Sequence, residues 1–109
     1  MELFEGKVAV ITGAASGIGR ALAERCAQEG MRVVLADIEE PALAQTAVEM
    51  RIAGTDVLPV VTDVSKAEDV EALARQTLDA YGAVHLLCNN AGVGAGSTVW
   101  ESTLNDWEW

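Results

Sequence analysis

The sequence predicts an α/β fold, a doubly wound parallel sheet with helices on both faces. Short apolar runs rich in Val and Ile alternate with longer segments of helical period, and no linker, repeat or low-complexity tract separates them. Short connections and right-handed crossovers then give the strand order 3-2-1-4. The chain has 109 residues, 50% of them hydrophobic, which is enough for one modest core.

The first unit pairs a buried strand with a glycine-rich turn. The predicted strand spans residues 7–12, and its central residues 8–11 are apolar without alternation, as a buried parallel strand should be. Gly13, Gly17 and Gly19 follow, where a helix over residues 16–29 is predicted to start. Glycine permits a tight turn and close approach of a ligand, and a helix N-terminus attracts anions. The pattern predicts a pyrophosphate-binding turn, and a glycine loop without a ligand is the alternative.

The second strand, residues 32–37, ends in an acid. Asp37 lies 18 residues after Gly19, where a dinucleotide site places a carboxylate that accepts from a ribose hydroxyl. A solvated Asp in a strand-end turn is the alternative. This carboxylate would repel a 2′-phosphate, and neither Ser16 nor Ile38 is basic. The balance favours NAD over NADP.

The remaining elements continue the alternation. Helix two is predicted to start near Glu39, with Pro41 in its first turn, and to end before Gly54. Strand three is predicted over about residues 56–62, and strand four over residues 85–89.

Helix three is predicted from a capping box and an apolar stripe. Ser65 would cap the helix and Glu68 would complete the box. The stripe, at helical spacing, consists of Val70, Leu73, Ala74, Thr77, Leu78 and Tyr81.

Polar residues follow the third and fourth strands. Asp63 and Val64 come after strand three, and Asn89 and Asn90 come after strand four. Open parallel sheets bind ligands outside the carboxyl ends of their strands, so a ligand site is predicted there. For Asp63, a carboxylate at the helix entry is the alternative, although Ser65 already supplies a predicted cap.

These features occur in one order along the chain. They are Thr12-Gly13-x-x-x-Gly17-Ile18-Gly19, Asp37, Asp63-Val64 and Asn89-Asn90-Ala91-Gly92. Together they resemble the short-chain dehydrogenase/reductase family, over about residues 6–107, and the glycine spacing resembles its compact oxidoreductase branch. The resemblance implies a Rossmann-type fold, a nicotinamide cofactor and hydride transfer to or from an alcohol or carbonyl substrate.

The resemblance also implies roles in NAD binding. The residues that would wrap the pyrophosphate and the adenosine side are Gly13, Ser16, Gly17, Ile18 and Gly19. Asp37 would bind the adenine ribose. Asp63 would accept from the adenine amino group, and the Val64 backbone N–H would bind a ring nitrogen. On the nicotinamide side, Asn90 and Ala91 would contact the sugar-phosphate, whereas Asn89 would tie neighbouring strands together.

The family's catalytic Tyr-x-x-x-Lys pair has no counterpart in this sequence. The single tyrosine, Tyr81, lies on the helix-three stripe and is followed four residues later by His85, predicted to be a surface residue at a strand entry. A helix capped at Thr103 has barely begun at Trp109. We therefore expect residues 1–109 to be the N-terminal part of a single NAD(P)-binding domain, without catalytic residues and inactive alone. A stand-alone nucleotide-binding or interaction module is the alternative.

Composition narrows the partners and the compartment. Acids outnumber bases 17 to 7, which disfavours nucleic acid and anionic membranes. The acidic N-terminus and the lack of a long apolar run predict a cytoplasmic protein. Cys26 and Cys88 are predicted to be reduced core thiols, and no metal-ligand spacing is present. The complete enzyme is expected to act on a small alcohol or ketone and to form a homo-oligomer.

Overall fold

The computed structural model describes residues 4–15 and 17–90. Within these residues, four strands and three helices alternate: β1 Val8–Thr12, α1 Gly17–Gln28, β2 Arg32–Asp37, α2 Glu40–Ile52, β3 Val57–Val61, α3 Ala67–Tyr81 and β4 Leu86–Cys88. The strands form one sheet in the order β3-β2-β1-β4, and every pairing is parallel. The predicted fold class and strand order are therefore confirmed.

The central strand β1 is buried along its whole length because the sheet is covered on both faces. Successive side chains of a strand point to opposite faces. Ile11 accordingly packs in a core cluster with Leu43 of α2, while Val10 packs in a second cluster with Leu73 of α3. Helices α1 and α2 thus cover one face and α3 covers the other, as doubly wound sheets require.

The two cysteines lie where α1 faces β4. Cys26 is buried in the first core cluster, and Cys88 is partly buried and packed against that cluster. Both are free thiols, as the sequence predicts. Within residues 4–15 and 17–90, no helix is long and apolar enough to cross a membrane.

The predicted start of helix three is wrong. Helix α3 begins at Ala67 after Lys66, and no side chain caps it. The Ser65 hydroxyl and N–H instead donate to Asp63 Oδ1, at 2.6 and 3.0 Å. A cap would have to accept from a free N–H of the first helical turn, whereas this hydroxyl is oriented as a donor to a charged carboxylate two residues away. The reach-back of a first-turn acid is made by Asp69, whose Oδ2 accepts from the Asp63 N–H at 2.9 Å.

We call the end of the sheet where the strands begin its amino edge and the other end its carboxyl edge. At the amino edge, the Tyr81 hydroxyl donates to Asp56 Oδ1 at 2.8 Å, and the Arg32 guanidinium lies 5.6 Å from the ring centroid. His85 is exposed, and its ring Nδ1 accepts the Val8 N–H at 3.0 Å. The backbone N–H of His85 donates to the Val8 carbonyl at 2.9 Å. Tyr81 is thus a packing residue, as predicted, and His85 an exposed one that also fastens the start of β4 to β1.

Candidate functional site

The predicted site residues follow the carboxyl ends of the strands and lie together at the carboxyl edge. The described ones are Gly13, Gly17, Ile18, Gly19, Asp37, Asp63, Val64 and Asn90. Ser16 and Ala91 lie outside the described residues.

The glycine turn has a shape that other residues would not adopt easily. Gly13 and Gly17 have φ angles of +63° and +56°, in the left-handed region that glycine enters without steric cost. A Cβ added to Gly19 would lie 1.9 Å from the Gly13 carbonyl oxygen and 2.8 Å from Asn90 Nδ2. The first turn of α1 therefore packs directly against the turn that leaves β1.

The start of α1 presents a surface suited to an anion. The first N–H groups of a helix have no acceptor within it, and the helix dipole places a partial positive charge there. The first turn of α1 contains no acidic residue, and Ile18 is 70% exposed. A phosphate group can approach this helix end without meeting a carboxylate of the same turn.

Asp37 connects the glycine turn to the second strand. Its Oδ2 accepts the N–H of Ala15 at 3.0 Å, and its Oδ1 accepts the N–H of Glu39 at 2.9 Å. Both oxygens of the half-buried carboxylate are therefore held by backbone amides. A carboxylate has about four acceptor positions, so capacity for a hydroxyl remains on each oxygen.

Asp63 is held within its own loop. The two bonds from Ser65 to its Oδ1 lower the pKa of Asp63 below its usual value, so the group stays ionised near neutral pH. This geometry supports the alternative that Asp63 organises the helix entry. A backbone bond from the Thr62 N–H to the Asp37 carbonyl, 2.9 Å long, joins this loop to the end of β2.

Thr12 joins the glycine turn to the segment after β4. Its buried hydroxyl lies 3.3 Å from Asn89 Oδ1 and accepts the Asn90 N–H at 3.1 Å. Asn90 Nδ2 in turn donates to the Gly13 carbonyl at 3.4 Å. Asn89 thus ties neighbouring strands together, as predicted. The role of Thr12 was not foreseen, and its one sequence signal is a polar residue that closes an apolar strand.

Two cavities among the described residues lie away from this arrangement. One of about 430 Å³ lies between α1 and α2, and another of about 260 Å³ lies between α1 and β4. Neither is lined by a residue predicted to bind the cofactor. Among the described residues, no group of three His, Cys, Asp or Glu side chains could hold a metal ion.

The known proteins that this chain resembles are dehydrogenases, reductases and other oxidoreductases. The chain matches the family model for short chain dehydrogenase over residues 7–109. It is 41% identical over 109 residues to a CLA biosynthesis dehydrogenase/reductase of Lactiplantibacillus plantarum, covering 100% of this chain and 38% of that protein. It is 42% identical over 106 residues to an uncharacterized oxidoreductase of Thermotoga maritima, covering 97% of this chain and 41% of that one.

Solved structures agree. A short chain dehydrogenase/reductase from Burkholderia phymatum in complex with NAD is 60% identical, with a TM-score of 0.81, and is matched over 97% of this chain and 38% of that one. A 3-ketoacyl-(acyl-carrier-protein) reductase from Brucella melitensis complexed with NADH is 40% identical, with a TM-score of 0.71, over 77% and 33%. The chain spans about two-fifths of the length of the curated relatives it matches. By sequence and by fold, it belongs to the short-chain dehydrogenase family.

Proposed function

We propose that residues 1–109 are the nucleotide-binding, N-terminal part of a single Rossmann-type domain in an NAD-dependent dehydrogenase. The whole protein then transfers a hydride between the nicotinamide and an alcohol or carbonyl substrate. The observation that carries the proposal is the convergence of the glycine turn, Asp37 and Asn90 at one edge of the sheet. The relatives from Burkholderia phymatum and Brucella melitensis, in complex with NAD and NADH, support this class of ligand.

The pyrophosphate is proposed to lie over the start of α1. There the positive φ angles of Gly13 and Gly17 shape the turn, and the absence of a Cβ at Gly19 lets the helix approach it closely. Backbone N–H groups at Ile18 and Gly19 and the Ser16 hydroxyl are the proposed donors, since they belong to the first helical turn or precede it.

The two ends of the dinucleotide are proposed to lie on opposite sides of that turn. Asp37 accepts from the adenine ribose, and Asp63 with the Val64 N–H binds the adenine ring. Asn90 and Ala91 contact the sugar-phosphate on the nicotinamide side. The bond from Asn90 to the Gly13 carbonyl supports this division, because it puts Asn90 on the β4 side of the turn, across β1 from Asp37.

A preference for NAD over NADP follows from charge. The Asp37 carboxylate would lie against a 2′-phosphate and repel it, and the next side chain, Ile38, is apolar and 59% exposed. Arg20, the basic residue of the first turn of α1, is already paired with Glu24 at 3.3 Å and with Glu49 of α2. A phosphate would have to compete with two carboxylates for this arginine.

The chain's own residues bind and orient the cofactor, and the bound cofactor supplies or accepts the hydride. We do not expect Tyr81 or His85 to donate a proton to the substrate oxygen. Both form hydrogen bonds at the amino edge, which is the end of the sheet opposite the proposed site. Turnover is therefore proposed to require residues outside this sequence. A small alcohol or ketone and further copies of the chain are the expected partners of the whole protein.

A stand-alone module without catalysis is not favoured, because the relatives that the chain matches are oxidoreductases.

The proposal is tested by titrating NADH and NADPH separately into the chain and following nucleotide fluorescence. We expect NADH to bind at least about tenfold more tightly, the equivalent of one charge-assisted hydrogen bond. Tighter binding of NADPH would contradict the assignment of Asp37.

A further inference from the structure

We propose that Asp37 is also a positioning residue, one that holds the glycine turn in its binding shape before any ligand arrives. This role differs from ribose recognition, because it acts through the backbone of the turn and does not need the ribose hydroxyls. It rests on the proposed function only in that its binding test uses an adenine nucleotide.

One hydrogen bond joins Asp37 to the backbone of the glycine turn. Ala15 lies between Gly13 and Gly17, and its N–H donates to Asp37 Oδ2 at 3.0 Å, from 22 residues away in sequence. Ala15 is only 8% exposed. A buried N–H that loses its acceptor is unfavourable, so the turn would shift toward other conformations without this carboxylate.

A second hydrogen bond joins Asp37 to the loop between β2 and α2. Asp37 Oδ1 accepts the Glu39 N–H at 2.9 Å, which fixes the connection from β2 to α2. Next to these side-chain bonds, the Ala14 N–H donates to the Ala36 carbonyl at 3.2 Å and the Thr62 N–H donates to the Asp37 carbonyl at 2.9 Å. The end of β2 thus links the glycine turn, the start of α2 and the end of β3.

Only a side chain with two acceptor oxygens can accept from both the Ala15 and the Glu39 N–H groups in this arrangement. An asparagine at this position has one oxygen and one amide nitrogen, and the nitrogen would face an N–H of either Ala15 or Glu39. Asp37→Asn therefore preserves size but loses one of the two backbone bonds, whichever way its amide is turned. If the carboxylate only recognised ribose, this substitution would not affect a ligand that lacks ribose hydroxyls.

The same carboxylate can perform both tasks at once. Two backbone amides occupy two of about four acceptor positions, and the remaining ones are available to a hydroxyl. Ordering of the turn and recognition of the ribose are consequently coupled through Asp37.

The binding test compares adenosine 5′-diphosphate with its 2′,3′-dideoxy analogue, by calorimetric titration. We expect Asp37→Asn to weaken binding of the dideoxy analogue about fivefold or more, since the N–H of either Ala15 or Glu39 loses its acceptor, and to weaken binding of the parent nucleotide further. The matched control is Asp56→Asn, which removes the same charge at the amino edge and keeps an oxygen for the Tyr81 hydroxyl. Unchanged affinity of Asp37→Asn for the dideoxy analogue would overturn the proposal.

Amide hydrogen exchange in the ligand-free chain separates positioning from a general loss of stability. In Asp37→Asn, whichever of the Ala15 and Glu39 amides faces the new side-chain nitrogen should exchange about tenfold faster than in the wild type, while the Val10 amide in the core of β1 keeps its rate. Unchanged rates at both Ala15 and Glu39, or an equal increase at Val10, would overturn the proposal. If the wild type binds neither nucleotide, the proposed function fails, but this exchange measurement still decides the role of Asp37.

A second variant covers the case in which Asp37→Asn does not fold. Asp37→Glu keeps two acceptor oxygens but sets them one methylene further from the backbone. We expect an Ala15 exchange rate above that of the wild type, with the Val10 rate unchanged, and partial loss of affinity for the dideoxy analogue. Wild-type values for both Ala15 exchange and that affinity would contradict a geometrically specific role.

Discussion

The amino and carboxyl edges of the sheet both carry hydrogen-bonded polar side chains, but those side chains do different things. At the amino edge, Tyr81 bonds to Asp56 and His85 bonds to β1, so each group completes the packing of neighbouring elements. At the carboxyl edge, Asp37 and Asn90 hold the backbone of a glycine turn that opens onto a helix N-terminus. A ligand site depends on this combination of fixed backbone and open space, and not on polar residue types alone.

The chemistry of the amino edge fits a structural role. Burial, together with the hydrogen bond to Asp56, raises the pKa of Tyr81 to about 12. The phenol therefore stays neutral under ordinary conditions and has no tendency to act as a base. The carboxyl edge, in contrast, contains the ionised Asp63 and the carboxylate of Asp37 beside backbone donors.

The largest expected effect compares the same substitution at the two edges. Gly19→Ala places a methyl group against the Gly13 carbonyl and should weaken NADH at least about tenfold by displacing α1 from the turn. Gly82→Ala, at the amino edge, meets no atom within 4 Å but strains a φ of +77°. It should cost about 1 kcal/mol of stability and leave NADH affinity unchanged. Fluorescence titration and thermal unfolding of both variants measure this contrast, and equal NADH affinity in both would refute it.

The next effect changes the charge of the carboxyl edge. Replacing Asp37 with Ser and Ile38 with Arg removes a carboxylate and adds a cation, so NADH should weaken by about 1.5–3 kcal/mol while NADPH gains. The single Ile38→Arg variant is the control, because it keeps the carboxylate. Titration of each variant with both nucleotides gives the ratio of its NADPH affinity to its NADH affinity. A double variant with the same ratio as the wild type would count against Asp37 as the discriminating group.

A smaller effect is expected at the amino edge. Tyr81→Phe removes one exposed hydrogen bond, so the free energy of unfolding should fall by no more than about 1 kcal/mol, as measured in urea. NADH affinity should not change. If this substitution lowered kcat for the proposed dehydrogenase activity of the whole protein more than about tenfold, beyond what a lost hydrogen bond in the scaffold explains, Tyr81 would have to take part in the reaction.

The smallest effect concerns pH. Ser65 lowers the pKa of Asp63 from its usual 3.8, so the stabilisation from this carboxylate is complete above that value and is lost as pH falls through the lower, folded value. The stability difference between the wild type and Asp63→Asn should therefore be constant near neutral pH and shrink below about pH 4. Urea unfolding of both proteins from pH 7 to pH 3 measures it, and a difference that persists to pH 3 would contradict the prediction.

The strands and their order could be predicted because they depend on local patterns. Buried parallel strands are continuous apolar runs, and Gly13 and Gly30, both at positive φ, mark where chain direction changes. The predicted start of α3 was wrong because the Ser65 hydroxyl donates to the Asp63 carboxylate and does not accept from a helix N–H. That difference depends on geometry that residue spacing does not reveal.

At the carboxyl edge, hydrogen bonds between residues distant in sequence could not be predicted either. The register of β1 with β4 brings Thr12 to Asn89 and Asn90, 77 and 78 residues away. The end of β2 likewise brings Asp37 to Ala15. The sequence indicated that Asp37 and Asn90 belong to a site. That both also hold the backbone of the glycine turn follows only from tertiary structure.

The central claim is that the dinucleotide binds at the carboxyl edge and not elsewhere. The most direct test is to titrate NADH into the isotope-labelled chain and follow each backbone amide by NMR. Saturable shift changes should centre on Gly17, Gly19, Ile38 and Asn90, while the amides of Asp56 and Tyr81 stay in place. Saturable changes centred on Asp56 and Tyr81, or no saturable change at all, would contradict the claim.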